Sequence, residues 1–271
     1  LVIPFRADLP MQVTDPFFLS ILGHLADAMT AAQYDLLLSR VDADHLDECA
    51  ALYDSGRVAG MVMVGQWDHH DQLNALAKRR VPVVVWGAML PDQLYCSVGS
   101  DNFNGGLQAT SHLIQQGRKR IAYIGDFRSG EAKLRFEGYC QALQSHGLEV
   151  NADMFILSPY TPLESQEAMH AFCDKGIAFD ALFAASDLIA INAMGVLNAR
   201  GLKVPDDISV VGYDDVDASR HSFPPLSTIR QPLDLAARVL LECLQEVMRG
   251  GQPASRQLNS DLVVRASTQS L

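Results

Sequence analysis

Short apolar stretches alternate with longer stretches of helical periodicity along the 271 residues of this chain. The stretches at 58–64 (VAGMVMV) and 81–86 (VPVVVW) are rich in β-branched residues and show no alternation of polar and apolar positions. Such runs are typical of parallel strands that are buried on both faces. Through 17–33, by contrast, apolar residues recur every three or four positions, which indicates an amphipathic helix. The alternation predicts an α/β fold with parallel sheets.

The strands are too numerous for one sheet of the usual size, so the sequence predicts two lobes. A hydrophobic content of 48% supplies apolar side chains for two cores. We predict two lobes, one formed by 1–126 and 232–258 and the other by 127–231 and 259–271, with crossings near 126–130 and 228–232. Predicted strands lie at about 1–5, 34–41, 58–64, 81–86, 95–98, 120–124, 155–157, 180–185, 208–212 and 262–265. Predicted helices lie at about 17–33, 44–54, 71–80, 102–116, 133–146, 163–175, 188–200 and 233–249.

Charge and cysteine content restrict the class of protein. A formal charge of −11 repels phosphate backbones, so this segment alone is a poor nucleic-acid binder. Five cysteines without a C-x-x-C pair indicate reduced thiols and a cytoplasmic location. No apolar run reaches the roughly 18–20 residues that span a bilayer, and no signal peptide is visible, so no membrane association is predicted. Because Leu1–Phe5 reads as a strand without an initiating Met, we expect the chain to be a fragment.

The sequence contains none of the common catalytic motifs. There is no G-x-G-x-x-G after a strand, no Walker loop, no G-x-S-x-G and no H-E-x-x-H. The segment Trp67-Asp68-His69-His70-Asp71 offers possible metal ligands, but adjacent histidines in a polar loop are usually solvated surface residues. We therefore predict no enzymatic activity, no metal and no cofactor.

Three stretches together resemble the LacI family of transcriptional regulators. The longest, 181–232, contains S-D-L-I-A, G-L-K-V-P-D-D-I-S-V-V-G-Y-D and P-P-L-S-T-I-R-Q-P. The second is D-N-F-N-G-G-L-Q-A-T-S-H-L at 101–113, and the third is R-F-E-G-Y at 135–139. The resemblance extends over essentially the whole chain, and the three motifs together are far more specific than any one of them.

The resemblance implies a periplasmic-binding-protein-like fold of type I, with two Rossmann-like lobes joined by three crossovers and a small-molecule effector in the cleft between them. It also implies a homodimer and a helix-turn-helix headpiece, absent from this chain, through which alone operator DNA is contacted. Effector binding is expected to close the lobes and change operator affinity. In this family sugars usually release repressors from DNA, whereas purines act as corepressors. A carbohydrate effector is the first expectation.

Polar side chains that follow the predicted strands are the leading site candidates, because ligands bind beyond the carboxyl ends of parallel strands. Arg135 follows the strand at 120–124 and offers a planar fork of donors, and the family resemblance implies an effector contact for it. Arg135→Ala is expected to abolish effector binding and leave the fold intact. Asp214 ends the strand at 208–212 and can accept from two sugar hydroxyls, unless it caps a turn. Ser186 contacts effector or caps the following helix.

Aromatic and amide side chains complete the predicted site. Phe17 and Phe18 match an aromatic pair that lines the cleft in relatives, although Phe18 also shares the apolar stripe of its helix. Asp101 contacts ligand or caps its own helix, two roles that the sequence does not separate. Further wall candidates are Gln66, Trp67 and Tyr160.

Two other functions remain open at the level of sequence. A solute-binding protein of a sugar transporter shares the same fold, and an enzyme on a Rossmann-like scaffold is a more remote reading. The motifs at 135–139 and 224–232, together with the cysteine usage, favour the regulator.

Overall fold

A computed structural model describes residues 2–5, 14–42, 45–66, 69–127 and 130–268, and the chain divides into two compact units. Unit 1 comprises Leu1–Ser100 and Pro232–Asn259, and unit 2 comprises Asp101–Gln231 and Ser260–Leu271. The chain therefore passes between the units three times, as the family resemblance implied.

Unit 1 is built around a six-stranded sheet in the order β11-β5-β4-β3-β1-β2, in which every paired strand is parallel. Its strands are β1 (Val2–Phe5), β2 (Ser39–Asp42), β3 (Met61–Val64), β4 (Val83–Trp86), β5 (Cys96–Ser100) and β11 (Arg256–Leu258). Its helices are α1 (Pro16–Ala31), α2 (Glu48–Asp54), α3 (His70–Lys78) and α9 (Leu233–Met248).

Unit 2 repeats this design with a sheet in the order β12-β10-β9-β8-β6-β7, in which only the β10–β12 pair is antiparallel. Its strands are β6 (Ile121–Gly125), β7 (Phe155–Leu157), β8 (Ala181–Ala184), β9 (Ser209–Asp214), β10 (Ser227–Arg230) and β12 (Asp261–Val263). Its helices are α4 (Asn102–Gln115), α5 (Gly130–Ser145), α6 (Pro162–Asp174), α7 (Asp187–Ala199) and α8 (Asp217–His221), with a short 3-10 helix at Ala152–Met154.

The central strands β3 and β4 of unit 1 are buried on both faces, as their unbroken apolar runs predict. In β3, Val62 and Val64 point into a core shared with α1 and α9, whereas Met61 and Met63 point into a second core shared with α2 and α3. Side chains alternate between the faces of a strand, so a strand covered by helices on both sides must be apolar at every position. The prediction of parallel, doubly covered sheets is confirmed.

The predicted position of the first crossing was wrong. The sequence placed it at 126–127, but unit 2 begins at Asp101. α4 packs against α5, and β6 pairs with β7 and β8, so both elements belong to the second sheet and its covering helices. The polar segment 126–130 follows β6 inside unit 2 and mimics a linker only in composition. The boundary predicted at 231–232 coincides with the observed one.

Helices were predicted more accurately than short strands. Each predicted helix is present with its ends displaced by at most four residues, whereas α8 and β11 were not predicted and β10 was taken for part of a crossing. Within the described ranges, no helix is both long and apolar enough to cross a membrane.

Candidate functional site

The sheet of unit 2 brings three predicted site residues to its carboxyl edge. Arg135 is on α5, which follows β6, Ser186 follows β8, and Asp214 is the last residue of β9. Because β6, β8 and β9 are adjacent parallel strands, their carboxyl ends lie side by side.

Arg135 is held in one orientation by its surroundings. Its side chain is 9% exposed, Nε donates to Asn102 Oδ1 at 2.8 Å, and Nη1 donates to the carbonyl oxygen of Ala185 at 2.5 Å. Its Cζ lies 3.7 Å from the centre of the Tyr213 ring, a cation–π contact. The remaining amino group, Nη2, makes no hydrogen bond to any residue in the described part of the chain. A fixed guanidinium with one uncommitted donor group is suited to bind a polar ligand.

Asp214 lies beside this guanidinium, and Tyr160 is near enough for the charge of Arg135 to act on its pKa. Asp214 Oδ1 is 3.9 Å from Arg135 Nη1 and accepts a hydrogen bond from Gln231 Nε2 at 2.6 Å. Burial would lower the pKa of Arg135, but its acidic neighbours, Tyr213 and Asp214 foremost, raise it, so the guanidinium stays charged. Burial raises the pKa of Tyr160 against the opposing effect of Arg135, so its phenol stays a neutral donor. Three predicted residues thus combine a cation, a carboxylate and a hydroxyl.

Ser186 and Asp101 both have capping roles. Ser186 Oγ accepts from the backbone N–H of Ile189 at 3.3 Å, and Asp101 Oδ1 accepts from the backbone N–H of Asn104 at 3.0 Å. These bonds satisfy the first N–H groups of α7 and α4. The capping alternative is therefore confirmed for each, and a contact with effector stays a prediction.

The sequence did not single out Asn102 and Tyr213, which orient Arg135. α4 and α5 cross at the distance of backbone contact: a Cβ on Gly106 would stand 2.1 Å from the carbonyl oxygen of Arg135. A Cβ on Gly105 would stand 2.6 Å from the hydroxyl of Tyr213. The G-G pair of the 101–113 motif was the available signal, because paired glycines in a helix often mark a close approach.

Unit 1 presents an aromatic pair and an amide at the carboxyl edge of its own sheet. The rings of Phe17 and Trp86 lie 6.5 Å apart, and Trp86 ends β4. Trp86 was not predicted, although an aromatic residue at the end of an aliphatic strand was a usable signal. Phe18 packs in the core with Ile21 and Leu25 because it shares their face of α1. The core alternative is therefore confirmed for Phe18, and a contact with effector stays a prediction.

Gln66 follows β3 and carries an unsatisfied acceptor. Its Nε2 donates to the carbonyl oxygen of Ala88 at 2.7 Å and to the hydroxyl of Tyr95 at 3.0 Å. Both N–H groups are thereby used, while the buried Oε1 has no hydrogen-bond partner among the described residues. Leaving a buried acceptor unpaired costs about 1–3 kcal/mol. A ligand hydroxyl or amine would remove that cost.

The remaining predictions concern the segment 67–71. Trp67 lies outside the described residues. His70 Nδ1 lies 3.0 Å from the Tyr95 hydroxyl, and its Nε2 lies 3.2 Å from Asn74 Nδ2, so it belongs to a hydrogen-bond network. In the part of the chain that the structure describes, no group of three or more His, Cys, Asp or Glu side chains could hold a metal ion.

A separate cavity of about 350 Å³ lies at the opposite edge of the unit 1 sheet. Met29, Leu241 and Met248 contribute to its mainly apolar lining. Ligands bind at the carboxyl ends of parallel strands, and none of the predicted site residues that the structure describes lines this cavity. We do not count it as part of the candidate site.

Comparisons with known proteins show that this chain is similar to transcriptional regulators. Residues 110–268 match the family model of the periplasmic binding protein-like domain. The HTH-type transcriptional repressor PurR of Haemophilus influenzae (strain PittEE) is 31% identical over 271 residues, covering 94% of this chain and 79% of the relative. The HTH-type transcriptional regulator CelR of Thermobifida fusca is 32% identical over 259 residues, covering 93% of this chain and 76% of the relative.

A solved structure supports the same likeness in three dimensions. The complex of the transcriptional regulator CelR with cellobiose superposes with a TM-score of 0.86 at 30% sequence identity. The match covers 98% of this chain and 83% of that chain, so it includes residues of both units.

Proposed function

The chain belongs to the LacI family of transcriptional regulators as an effector-binding core, and on that premise we propose that its effector is a carbohydrate. On unit 2 the proposed effector contacts are Arg135, Asp214 and Tyr160. On unit 1, taken by itself, Phe17 and Gln66 stay predicted effector contacts. The lobe closure that the sequence predicts stays a prediction.

The observation that carries this proposal is the pairing of an immobilised guanidinium with a carboxylate 3.9 Å away. Neighbouring sugar hydroxyls are both donors and acceptors, so one can accept from Arg135 while the next donates to Asp214. The ring face of Phe17, which is only partly buried, suits the C–H face of a pyranose. The CelR structure, in which a related regulator holds cellobiose, supports a glycoside as the first probe.

Calorimetric titration of the full chain tests this proposal. Cellobiose, glucose, ribose, sugar phosphates, nucleosides and purine bases would be titrated in parallel, and a sugar is expected to bind and to raise the melting temperature. Binding of a purine base in preference to every sugar would overturn the carbohydrate assignment.

Gln66→Met is expected to weaken cellobiose binding about tenfold, because the nearly isosteric side chain cannot accept a ligand hydroxyl. Titration calorimetry measures the change. Tyr95→Phe is the control, since it removes the neighbouring hydroxyl and leaves Oε1 in place. An unchanged affinity in Gln66→Met would exclude Gln66 from the site.

We further propose that the regulator is a homodimer and that unit 2 contributes Phe223 to the interface. This side chain is 98% exposed, in the segment between α8 and β10. A fully exposed phenylalanine leaves a large apolar area in water, and its burial against a second copy is favourable by about 1.5–3 kcal/mol. In a two-fold dimer each copy contributes the same residue to the interface, so one substitution changes two interface contacts.

Phe223→Asp is therefore expected to weaken self-association about 100-fold, as measured by sedimentation velocity over a concentration series. Leu94→Asp serves as the control, because Leu94 is another exposed apolar residue, on unit 1. Equal effects of the two substitutions would argue against a specific role for Phe223.

We propose, on the family resemblance, that operator DNA is contacted by a helix-turn-helix headpiece and not by these residues. The relatives are named HTH-type regulators, and the chain spans 79% of PurR. The formal charge of −11 disfavours direct contact with DNA. Because a transcriptional regulator acts on chromosomal DNA, the cytoplasmic location stays our prediction. We also propose that the protein is not an enzyme.

A further inference from the structure

The backbone that carries Asp214 adopts an unusual conformation. Asp214 has a φ of +118° and Asp215 a φ of +59°, and both are non-glycine residues in the left-handed half of the Ramachandran plot. Such conformations persist only where the surrounding structure holds them, and they concentrate at ligand sites. Some other group must therefore fix this turn.

Arg230 and Arg265 donate to the Asp215 side chain, and Asp187 fixes the backbone that follows it. Asp187 is fully buried, and its Oδ2 accepts a hydrogen bond from the backbone N–H of Val216 at 2.9 Å, directly after the two strained residues. Its Oδ1 accepts from the hydroxyl of Thr228 on β10 at 2.5 Å. A Cβ on Gly212 would stand 2.3 Å from Asp187 Oδ1, so the glycine leaves room for the carboxyl group.

These bonds connect both segments that hold the Asp214 carboxylate. Val216 follows Asp214 by two residues, and Thr228 is on the strand that leads into Gln231, the residue that donates to Asp214 Oδ1. Asp187 does not cap α7, because Ser186 does so. Burying a carboxyl group is unfavourable unless hydrogen bonds compensate for the loss of water. One bond of Asp187 leads to the turn at Val216 and the other to β10.

We propose that Asp187 is a positioning residue of the effector site, which aims the Asp214 carboxylate by fixing the turn at Val216. The proposal rests on the effector role of Asp214 and deepens it. Burial and the nearby carboxylates of Asp214 and Asp215 raise the pKa of Asp187, against the opposing effect of its two hydrogen bonds. A neutral asparagine should therefore substitute for Asp187: its Oδ1 would accept from the Val216 N–H, and its Nδ2 would donate to the Thr228 oxygen once the Thr228 hydroxyl turns its proton away.

Hydrogen exchange of the ligand-free full chain tests the clamp independently of any effector. Asp187→Ala is expected to speed exchange of the Val216 amide at least about tenfold, and Asp187→Asn to keep it within about twofold of the wild type. Thr228→Val, which removes one of the two bonds, should give an intermediate rate and replaces Asp187→Ala if that variant does not fold. Val216 protection that is the same in all variants would overturn the proposal.

A double-mutant cycle with cellobiose distinguishes positioning from general destabilisation. Asp187→Ala should weaken binding about tenfold in the wild-type background and have almost no effect in an Asp214→Ala background, because the aimed group is then missing. Equal losses in both backgrounds would show that Asp187 acts on the whole fold. Absence of cellobiose binding to the wild type would count against the carbohydrate proposal and leave the exchange result to decide the role of Asp187.

The pH dependence of stability supplies a second ligand-free readout. A raised pKa in the folded state means that the fold favours the protonated form of Asp187. The stability that this protonation contributes is fully present below the ordinary pKa of 3.8 and is lost as pH rises through the pKa of the folded state. As pH rises over this interval, the free energy of unfolding of the wild type should therefore fall relative to that of Asp187→Asn. A difference that stays constant with pH would contradict a protonated Asp187.

Discussion

Replacing Arg135 with alanine is expected to lower the affinity for cellobiose about 1,000-fold. At the proposed site, Nη2 of Arg135 would donate one charge-assisted hydrogen bond to the effector, and Asp214, held beside the guanidinium, would accept a second. Loss of both, at about 2 kcal/mol each, corresponds to this change. Isothermal titration calorimetry measures the change. The sequence alone predicted an intact fold for this variant, but the bonds to Asn102 and Ala185 indicate that stability also falls.

The loss of stability follows from the charge left behind. Without Arg135 the buried carboxylate of Asp214 has lost its nearby cation, and breaking a buried pair of this kind costs about 3 kcal/mol. Arg135→Lys is the matched control, because it keeps the charge and removes the planar fork. Affinity should fall in Arg135→Lys with a smaller loss of stability. Wild-type affinity in both variants would remove Arg135 from the site.

Gly106→Ala is expected to lower the free energy of unfolding by about 3 kcal/mol or more. The new methyl group would stand 2.1 Å from the carbonyl oxygen of Arg135, and a backbone atom cannot rotate away as a side chain can. α4 and α5 must separate, and the separation breaks the bond between Asn102 and Arg135. Chemical denaturation followed by circular dichroism measures the loss, and effector affinity should fall with it.

Gly195→Ala provides the matched control for this prediction. Gly195 also lies within a helix of unit 2, but a Cβ there meets nothing within 4 Å. Alanine has the higher helix propensity, so this variant should be more stable by about 0.5–1 kcal/mol. If both substitutions had the same effect, the loss in Gly106→Ala would not come from the helix crossing.

The sequence was sufficient for the features that local patterns encode. Strands buried on both faces leave runs such as VVVW, and amphipathic helices leave an apolar repeat, so the parallel sheets and helices could be predicted. The carboxyl-edge rule then selected Asp214, which ends a parallel strand, and Arg135, which lies on the helix that follows one.

Contacts between elements that are distant in the chain could not be predicted from the sequence. A polar segment at 126–130 has the composition of a linker, and only the pairing of β6 with β7 and β8 shows that it lies inside unit 2. Asn102 and Tyr213 orient Arg135 because two helices cross at backbone distance, and Asp187 reaches Val216 across a turn. The sequence by itself determined the doubly covered parallel sheets and which side chains reach their carboxyl edges, since strand period and strand ends are local properties. The tertiary structure decided how those side chains are aimed, since hydrogen bonds between distant segments depend on packing that no local pattern encodes.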